Sequence, residues 1–500
     1  RGRAYDRPMT TLHRRLGSRR LVLALVALVL IALAWWGILT EGRGLTSRGL
    51  TGARGVPLTF IAPEDAAGAP GVVIAHGFAG SSRLMLGFGR ALAHGGYGVM
   101  LLDFDGHGAA RGPLDSSALQ RNLLAAAEAL AAQPEIDPTR LALLGHSMGS
   151  GAVMTAGITA ADRYRATIAV SPTGAEVSPD APRNLLLMAG SLEPNFVGNA
   201  RDLLARAGGE NDDLAGGRGR ALLVVPNVEH ITILFSRAAQ TAALDWLDRA
   251  FGLPGGAAVA PDRRLVWYAT HLGGWLLLLL AVAPLVPSVA AVPATRRRPW
   301  NWLGLPVGAL AAGLALAALG RMGDFTQLGG LLVGGVLALW FAVMGLVWLG
   351  LLCGFRLPRP AGRDALWGLL LFAVLTAAFG LMADRVWIHW WLVPARLARW
   401  PFLAAAALPW LLAAGLAQAG ASPWRRAGWW LWQTAVIVAG LVLAIVVYPG
   451  LGFVSLLMPI IPIILLILSA GAAAFDRPWS FALGGALFFG WLLVAVFPLA

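Results

Sequence analysis

The stretch LALLGHSMGSGA, residues Leu141–Ala152, decides the fold of the middle of the chain. Four apolar residues run into Gly145, Ser147 stands between Gly145 and Gly149, and small residues follow. A strand that turns through Gly-x-Ser-x-Gly into a helix is the pattern of a nucleophile elbow, a tight turn that raises a serine hydroxyl above the edge of a sheet. The pattern therefore predicts a strand before the turn, a helix from Met148 and Ser147 as a nucleophile.

The same alternation of apolar runs and Ala-rich stretches extends over residues 40–255. The strand candidates are Leu58–Ile61, Val72–Ala75, Gly98–Leu102, Leu141–Leu144, Thr167–Val170, Leu185–Ala189 and Ala221–Val225. The helix candidates are Arg83–His94, Ser116–Ala132, Met148–Ala160, Phe196–Ala207 and Ser236–Phe251. Strands that are apolar throughout and alternate with helices are typical of a mostly parallel sheet with helices on both faces. We therefore expect an α/β domain over residues 40–255.

A nucleophilic serine needs an oxyanion hole and a general base. The N–H of Met148, the residue after the nucleophile, is one expected donor of the oxyanion hole, and the N–H of Phe78, after an early strand candidate, is the other. His230 follows the last strand candidate, where a loop can carry an imidazole to the elbow. The other later histidines, His271 and His389, lie in the apolar C-terminal part. His230 is therefore the predicted base.

The acid of the predicted triad should follow a strand between the serine and the histidine. Glu193 comes three residues after Gly190, at the carboxyl end of Leu185–Ala189. Glu176 and Asp180, after the preceding strand candidate, remain alternatives. Glu229 is the neighbour of His230 in sequence and is interpreted as a loop charge. Glu193 is the predicted acid.

Two further motifs carry a resemblance to a known family. YGVMLLDFDGHGAARG (Tyr97–Gly112) is similar to a strand and Asp-x-x-Gly-His-Gly turn of the α/β-hydrolase superfamily, and IDPTRLALLGHSMGSG (Ile136–Gly151) is similar to the approach to the elbow in its dienelactone-hydrolase-like and esterase branches. Residues 56–251 thus resemble that superfamily. The resemblance implies a Ser-His-acid hydrolase without a metal or cofactor. It also implies that three polar residues of the first motif are structural, namely Asp103, Asp105 and His107.

The composition points to a membrane protein with a soluble insert. The chain of 500 residues is 57% hydrophobic, and its mean hydropathy of +0.68 exceeds that of ordinary soluble proteins. The net charge is +13, but Glu41–Gly255 has 17 Arg and 20 acidic residues, so the excess of +16 lies outside this stretch. Arginines gathered at a tail and between apolar runs form a topology signal and not a nucleic-acid-binding face. Because Cys353 is the single cysteine of the sequence, no disulfide can form within the chain.

The sequence divides into five parts. Residues 1–20 are a basic cytoplasmic tail with seven Arg, and Leu21–Leu39 is a transmembrane anchor, for which a cleaved signal peptide is the alternative. The α/β domain covers residues 40–255, and residues 256–264 form a linker. Residues 265–500 form an all-α membrane domain with about eight transmembrane helices. The spans of that domain are Leu265–Val292, Leu303–Leu319, Leu328–Cys353, Ala365–Met382, Phe402–Ala417, Trp429–Val447, Val454–Ala474 and Phe481–Val496.

The loops between these spans suggest an orientation. With the α/β domain outside, the tail and the cytoplasmic loops hold 16 Arg and the outer loops hold six, which agrees with the positive-inside rule. The segment Asp384–Trp400 is predicted as a helix in the outer headgroup layer, with Asp384 and His389 solvated. Only residues 171–184 separate the strand candidates Thr167–Val170 and Leu185–Ala189, which leaves no room for a large lid. The site is therefore expected to be open, or to be closed by the membrane surface and this segment.

These observations predict a serine hydrolase of the carboxylesterase or lipase type in the bacterial cytoplasmic membrane. Its expected partners are membrane lipids and a small-molecule or lipid ester, with no nucleic acid. The eight spans beyond the anchor favour an alternative, a transporter or membrane-complex protein with a hydrolase-like binding domain. Acyl transfer to an acceptor other than water would use the same residues. The sequence leaves the oligomeric state open.

Overall fold

The computed structural model describes residues 7–115, 117–285, 299–354 and 356–500. The contacts divide them into two compact units. The sheet unit consists of Gly37–Val266, Ala383–Pro394 and Pro498–Ala500. The helical unit consists of the N-terminal segment through Trp36, Trp267–Met382 and Ala395–Phe497. The end of the predicted span Leu265–Val292 and most of the loop that follows it lie outside the described residues.

The sheet unit contains eight strands in the order β1-β2-β4-β3-β5-β6-β7-β8. They are β1 (Leu45–Thr51), β2 (Pro57–Pro63), β3 (Ala69–Ala75), β4 (Gly98–Leu102), β5 (Ile136–His146), β6 (Tyr164–Val170), β7 (Leu185–Gly190) and β8 (Arg220–Val225). β2 is antiparallel to β1 and β4, and the other neighbours are parallel. The predicted mostly parallel sheet is confirmed. β1 is absent from the predicted strands because this half-exposed edge strand has few apolar residues.

Helix α1 (Arg7–Thr40) precedes the sheet. Five helices connect the strands or follow them, namely α2 (Leu86–His94), α3 (Ala118–Ala131), α4 (Met148–Thr159), α5 (Pro194–Arg206) and α6 (Arg237–Phe251). All five occur at predicted helices. α2 begins three residues later than predicted, since the turns at Arg83 precede its first helical residue.

The strands of the sheet bury both faces. Val72 and Ile74 of β3 pack with α2 and α6 on one face, and Val73 and Ala75 pack with α3 and α4 on the other. This alternation follows from the two-residue period of a strand. Burying a Val, Leu or Ile side chain fully contributes roughly 1.5–3 kcal/mol, so the paired clusters hold the sheet and its carboxyl edge in place. The predicted α/β-hydrolase fold is confirmed by this topology.

The segment predicted as one helix over Asp384–Trp400 is broken in the structure. A helix ends at Val386, an irregular stretch follows, and a four-residue helix begins at Pro394. Asp384 is buried, and its carboxylate accepts a hydrogen bond from the N–H of Trp390 at 3.0 Å. The prediction of a continuous helix with a solvated Asp384 is therefore wrong, because this carboxylate binds the backbone that turns back on it and Pro394 lacks the N–H that would continue a helix.

Eleven further helices follow α6 in the part of the chain that the structure describes, and most of their residues are apolar. They are α7 (Arg264–Val282), α8 (Trp300–Met322), α9 (Gly334–Cys353), α10 (Asp364–Leu375), α11 (Leu381–Val386), α12 (Pro394–Leu397), α13 (Trp400–Gln418), α14 (Pro423–Val447), α15 (Val454–Leu457), α16 (Ile461–Ala474) and α17 (Pro478–Val496). A π-helical turn, Thr376–Gly380, joins α10 to α11. Within the described ranges, nine helical segments, including Gly17–Thr40 of α1, are long and apolar enough to cross a membrane.

Glycines bring helices of the helical unit close together. A Cβ atom at Gly308 of α8 would collide with the backbone of Met344 in α9. A Cβ atom at Gly345 of α9 would collide with the backbone of Trp410 in α13. Small residues at such crossings are typical of packed apolar helices, in which close backbone approach provides van der Waals contact. The helical unit is thus a packed bundle of predominantly apolar helices.

Candidate active site

The predicted site residues Phe78, Ser147, Glu193 and His230 each follow the carboxyl end of a parallel strand. Phe78 comes after β3, Ser147 after β5, Ser171 after β6, Glu193 after β7 and His230 after β8. The carboxyl ends of parallel strands share one edge of the sheet, which is where open α/β sheets bind ligands. The topology therefore brings residues that are far apart in sequence to one rim.

Ser147 occupies a strained turn between β5 and α4. Its φ and ψ are 53° and −121°, a conformation that a non-glycine residue rarely adopts. A Cβ atom at Gly145 would collide with Gly149, and a Cβ atom at Gly149 would lie 2.6 Å from the carbonyl oxygen of His76. Neither Gly145 nor Gly149 could therefore be replaced by a residue with a side chain unless the backbone moved. The N–H of Ser147 donates to the carbonyl oxygen of Val170 at 2.9 Å, which fixes the turn against β6.

A continuous chain of hydrogen bonds joins the three predicted triad residues. The Oγ of Ser147 lies 3.0 Å from Nε2 of His230, and Nδ1 of His230 lies 2.8 Å from Oε2 of Glu193. His230 and Glu193 are 3% and 6% exposed. A carboxylate can only accept a hydrogen bond, so Nδ1 carries a proton and neutral His230 leaves Nε2 to accept from the serine. This is the tautomer that a general base requires.

The second carboxylate oxygen of Glu193 is held by two donors. Its Oε1 accepts from the hydroxyl of Ser171 at 2.7 Å and from the N–H of Gly190 at 2.6 Å. The alternative acids Glu176 and Asp180 are exposed. Glu229 caps its own loop, since its carboxylate accepts from the N–H groups of two following residues. Of these four carboxylates, the one that binds the imidazole is Glu193.

The loop after β3 runs along the elbow. A Cβ atom at Gly77 would lie 3.0 Å from the Cβ of Ser147. The N–H of Phe104 donates to Nε2 of His76 at 3.1 Å, so Nδ1 carries the proton that is donated to the carbonyl oxygen of Gly77 at 2.8 Å. Because a trans peptide directs its N–H opposite its C=O, this bond also sets the direction of the Phe78 N–H. Burial lowers the pKa of His76, which favours the same neutral ring.

Met148, the other predicted donor, is the first residue of α4. The first N–H groups of a helix have no acceptor within the helix, and the helix dipole favours negative charge there. The N–H of Met148 is therefore suited to an oxyanion that forms next to Ser147.

Two residues that contact His230, His146 and Phe196, were not predicted from the sequence. His146 donates from Nε2 to the carbonyl oxygen of His230 at 2.9 Å, and burial lowers its pKa well below the ordinary value. Phe196 stacks on the ring of His230 with the ring centres 4.3 Å apart. His146 could have been noticed because it lies inside the elbow motif, next to Ser147. Phe196 gives no such signal, since only the fold brings α5 to the histidine loop.

Two of the three residues predicted as structural, Asp103 and His107, contact backbone atoms through their side chains. Asp103 accepts from the N–H groups of Ser82 and Ala109 at 2.6 and 2.8 Å. Nδ1 of His107 lies 3.0 Å from the carbonyl oxygen of Asp105. Within the described part of the chain, no cluster of three His, Cys, Asp or Glu residues is placed to hold a metal ion.

A family model described as serine aminopeptidase, S33 (Hydrolase_4) matches residues 69–206. The matched stretch runs from β3 through α5 and includes the loop after β3, the turn at Ser147 and Glu193. The prediction of a serine hydrolase is confirmed by this match. No curated protein matches the chain by sequence.

Several solved hydrolases are similar to part of the chain. An esterase from Pyrobaculum calidifontis is 16% identical with a TM-score of 0.33, and the alignment covers 48% of this chain and 94% of that one. A dienelactone hydrolase from Anabaena variabilis is 17% identical with a TM-score of 0.31, covering 41% and 97%. The carboxylesterase EstE1 from a metagenomic library is 15% identical with a TM-score of 0.34, covering 46% and 98%.

Proposed function

We propose that this chain is a membrane-embedded serine hydrolase that cleaves acyl esters, with Ser147 as nucleophile, His230 as base and Glu193 as acid. The observation that carries the proposal is the hydrogen-bonded chain from the Ser147 hydroxyl to the Glu193 carboxylate. The strained turn at Ser147 supports it, because such strain persists only where the surroundings enforce it.

The proposed reaction has two steps. In the first, Nε2 of His230 takes the Ser147 proton while Oγ attacks the ester carbonyl carbon, and the N–H groups of Phe78 and Met148 stabilise the resulting oxyanion. The intermediate collapses, His230 gives the proton to the leaving alcohol oxygen, and an acyl-serine remains. In the second, His230 takes a proton from water while the water oxygen attacks the acyl carbonyl carbon. His230 then gives this proton to Oγ of Ser147, and the acid is released.

The surroundings of the nucleophile favour acyl esters over peptides with a free amino group. An aminopeptidase needs an anionic side chain for the substrate ammonium group. The triad carboxylate, Glu193, is already occupied by His230, Ser171 and Gly190. The partly exposed side chains next to the triad, Met148 and Phe196, are apolar and suit an acyl chain.

The proposed location is the bacterial cytoplasmic membrane with the sheet unit on the extracytoplasmic side. The nine candidate spans among the described residues support membrane embedding. The 16 Arg expected inside against six outside support this orientation. An acyl ester at or near the bilayer would then reach the site from the outer leaflet.

The proposal is tested by labelling the full-length protein in membranes with a fluorophosphonate probe. We expect the native protein to label and Ser147→Ala to lose labelling, because the probe reacts only with an activated serine. Ser117→Ala, at an exposed serine, is the matched control and should label normally. The purified protein should cleave p-nitrophenyl acyl esters with a higher kcat/KM than aminoacyl p-nitroanilides.

Two outcomes would contradict the proposal. A native protein that does not label would favour the alternative, a transporter or membrane-complex protein with a hydrolase-like binding domain. A protein that labels but prefers the anilides would be a peptidase, in keeping with the description of the matching family model.

A further inference from the structure

A short segment that follows the last apolar helix belongs to the sheet unit. Helix α17 ends at Val496, and the chain passes from the helical unit to the sheet unit between Phe497 and Pro498. Leu499 is only 3% exposed. A segment this short cannot form a core of its own, so its position depends on its contacts with the sheet unit.

Leu499 binds the loop after β4 through its backbone. Its N–H donates to the carbonyl oxygen of Gly106 at 2.9 Å, and its carbonyl oxygen accepts from the N–H of Leu114 at 3.0 Å. These two hydrogen bonds, which we call the Leu499 bridge, reach both ends of the loop. One residue thus ties together the two halves of residues 104–114.

Gly106 shows how closely the three backbones approach one another. Its φ of +78° lies in the left-handed region that favours glycine. A Cβ atom at Gly106 would lie 2.8 Å from the N atom of Leu114 and 3.0 Å from the carbonyl oxygen of Leu499. Both contacts are to backbone atoms, so the loop and Leu499 are packed backbone against backbone at this point.

The same loop contacts the residues that direct the predicted oxyanion donor. The ring centre of His107 lies 5.0 Å from that of His76 and 5.8 Å from that of Phe78. The N–H of Phe104 donates to Nε2 of His76 at 3.1 Å. Nδ1 of His76 then binds the carbonyl oxygen of Gly77, which sets the direction of the Phe78 N–H. Residues 104–114 therefore support the predicted oxyanion hole from one side.

We propose that Leu499 is a positioning residue of the proposed hydrolase. Its bridge holds residues 104–114 against His76 and so keeps the N–H of Phe78 directed at the oxyanion. This inference rests on the proposed function, because the direction of that N–H matters only if an oxyanion forms. Donors of an oxyanion hole stabilise the transition state more than the bound substrate. Loss of the bridge should therefore lower kcat and leave KM nearly unchanged.

The test compares Leu499→Pro with Leu499→Ala in the purified full-length protein. Both variants lack the leucine side chain, but only proline lacks the N–H that binds Gly106. With p-nitrophenyl butyrate we expect Leu499→Pro to lower kcat on the order of tenfold and to keep KM within about twofold of the native value. Leu499→Ala keeps both hydrogen bonds and should retain a kcat within about twofold of native. Each kcat is divided by the amount of protein that fluorophosphonate labels to completion, so that unfolded protein is not counted.

Leu114→Pro is a second variant that removes the other hydrogen bond of the bridge, at a half-buried residue. Its kcat should fall as in Leu499→Pro. The double variant should fall little further, because both substitutions act through the same bridge.

Hydrogen exchange gives a readout that needs no substrate. Amides exchange through local opening, so Leu499→Pro should exchange faster than Leu499→Ala in peptides that cover residues 76–80 and 104–114. The amides of β7, which has no contact with the bridge through these hydrogen bonds, should exchange at the same rate in both variants.

Four results would overturn the proposal. The first is a native kcat in both proline variants, and the second is a raised KM with an unchanged kcat. An equal loss of kcat in Leu499→Ala would assign the effect to the packing of the side chain. Proline variants that unfold while Leu499→Ala stays folded would make the bridge a contact for stability alone. A native protein that neither labels nor cleaves esters would refute the proposed hydrolase itself, whereas an active native protein with fully active proline variants would refute only the role of Leu499.

Discussion

Glu193 is bound at both carboxylate oxygens, and the two oxygens face different partners. Oε1 accepts from two donors, Ser171 and Gly190, whereas Oε2 faces Nδ1 of His230. Because of this difference, a glutamine at position 193 would place its amide oxygen next to the two donors and its amide NH₂ next to His230. This placement makes the role of the acid testable at the level of one atom.

We expect Glu193→Gln to lower kcat for ester hydrolysis on the order of 10³–10⁴-fold. The amide oxygen will take the position that accepts from Ser171 and Gly190, so the amide NH₂ will face Nδ1 of His230. Nδ1 must then accept, and the proton moves to Nε2, where it blocks the removal of the Ser147 proton. The measurement is steady-state hydrolysis of p-nitrophenyl esters by the purified full-length protein.

Glu229→Gln is the matched control for this prediction. Glu229 is adjacent to His230 in sequence, but its carboxylate caps the loop backbone. Its kcat should remain within about threefold of the native value. An unchanged rate in Glu193→Gln would move the role of the acid to Glu176 or Asp180.

The glycines of the elbow give a second prediction at this scale. Gly149→Ala places a Cβ atom 2.6 Å from the carbonyl oxygen of His76 and 2.7 Å from that of Ala75. Both contacts are to backbone, so the elbow must move, and we expect a loss of roughly 1–3 kcal/mol in stability together with slow labelling. The readouts are the rate of fluorophosphonate labelling and the temperature at which half of the labelling is lost.

Gly198→Ala, in α5, is the control for the elbow variant. No atom lies within 4 Å of a Cβ atom at Gly198, and alanine is favoured over glycine inside a helix by up to about 1 kcal/mol. This variant should label at the native rate with an equal or higher midpoint. A native rate and midpoint in Gly149→Ala would mean that the turn is not sterically constrained.

The residues that the sequence could predict are those whose chemistry is tied to a local pattern. Ser147 follows from the elbow motif and His230 from its place after the last strand. Ser171 and Phe196 could not be predicted, because they contact Glu193 and His230 only through the positions of β6 and α5. Their contribution depends on packing between distant elements, for which no local pattern exists.

At the scale of elements, the continuous apolar runs predicted the parallel strands β3 to β8, since buried strands have no polar face. The edge strand β1 could not be predicted in this way, because it pairs on one side only and its side chains are half exposed. The break between Val386 and Pro394 was not predicted, for a different reason. The spacing of Trp and Arg there suits an interfacial helix, whereas the buried carboxylate of Asp384 turns the backbone through the N–H of Trp390.

Helix α6 is joined to the sheet by a buried pair that predicts a dependence of stability on pH. The hydroxyl of Tyr97 donates to Oδ1 of Asp248 at 2.7 Å, and burial raises the pKa of Asp248. The folded protein then holds this proton more tightly than the unfolded chain does. The contribution of Asp248 to the free energy of unfolding is fully present below the ordinary Asp pKa. It is lost as the pH rises through the raised pKa of the folded protein.

We expect Asp248→Asn to reduce the loss of stability between pH 4 and pH 7 relative to the native protein. Asparagine still accepts from Tyr97 but carries no charge to bury. The measurement is the midpoint temperature for loss of fluorophosphonate labelling, with each sample heated at its own pH and labelled at pH 7. Asp202→Asn, at an exposed position of α5, is the control and should follow the native pH dependence closely. An identical pH dependence in Asp248→Asn would refute the assigned cause.

At the scale of the whole molecule, the number of candidate spans could be predicted because the thickness of a bilayer sets a local length of about 20 apolar residues. Nine such helices occur among the described residues. The assignment of Ala383–Pro394 to the sheet unit could not be predicted. It depends on contacts between distant residues, such as that of the Arg264 guanidinium with the carbonyl oxygen of Val386.

The distribution of arginine over the chain gives the last prediction, the orientation in the membrane. Alkaline phosphatase is active only outside the cytoplasm, and green fluorescent protein folds to a fluorescent state only inside it when exported unfolded. A fusion after Gly255, between α6 and α7, should give phosphatase activity and no fluorescence. A fusion after Ala421, between α13 and α14, should give the opposite result, because six candidate spans precede it and the loop continues into Arg425 and Arg426. If both fusions gave the same result, the number of crossings would be wrong, and if both were reversed, the proposed triad would face the cytoplasm.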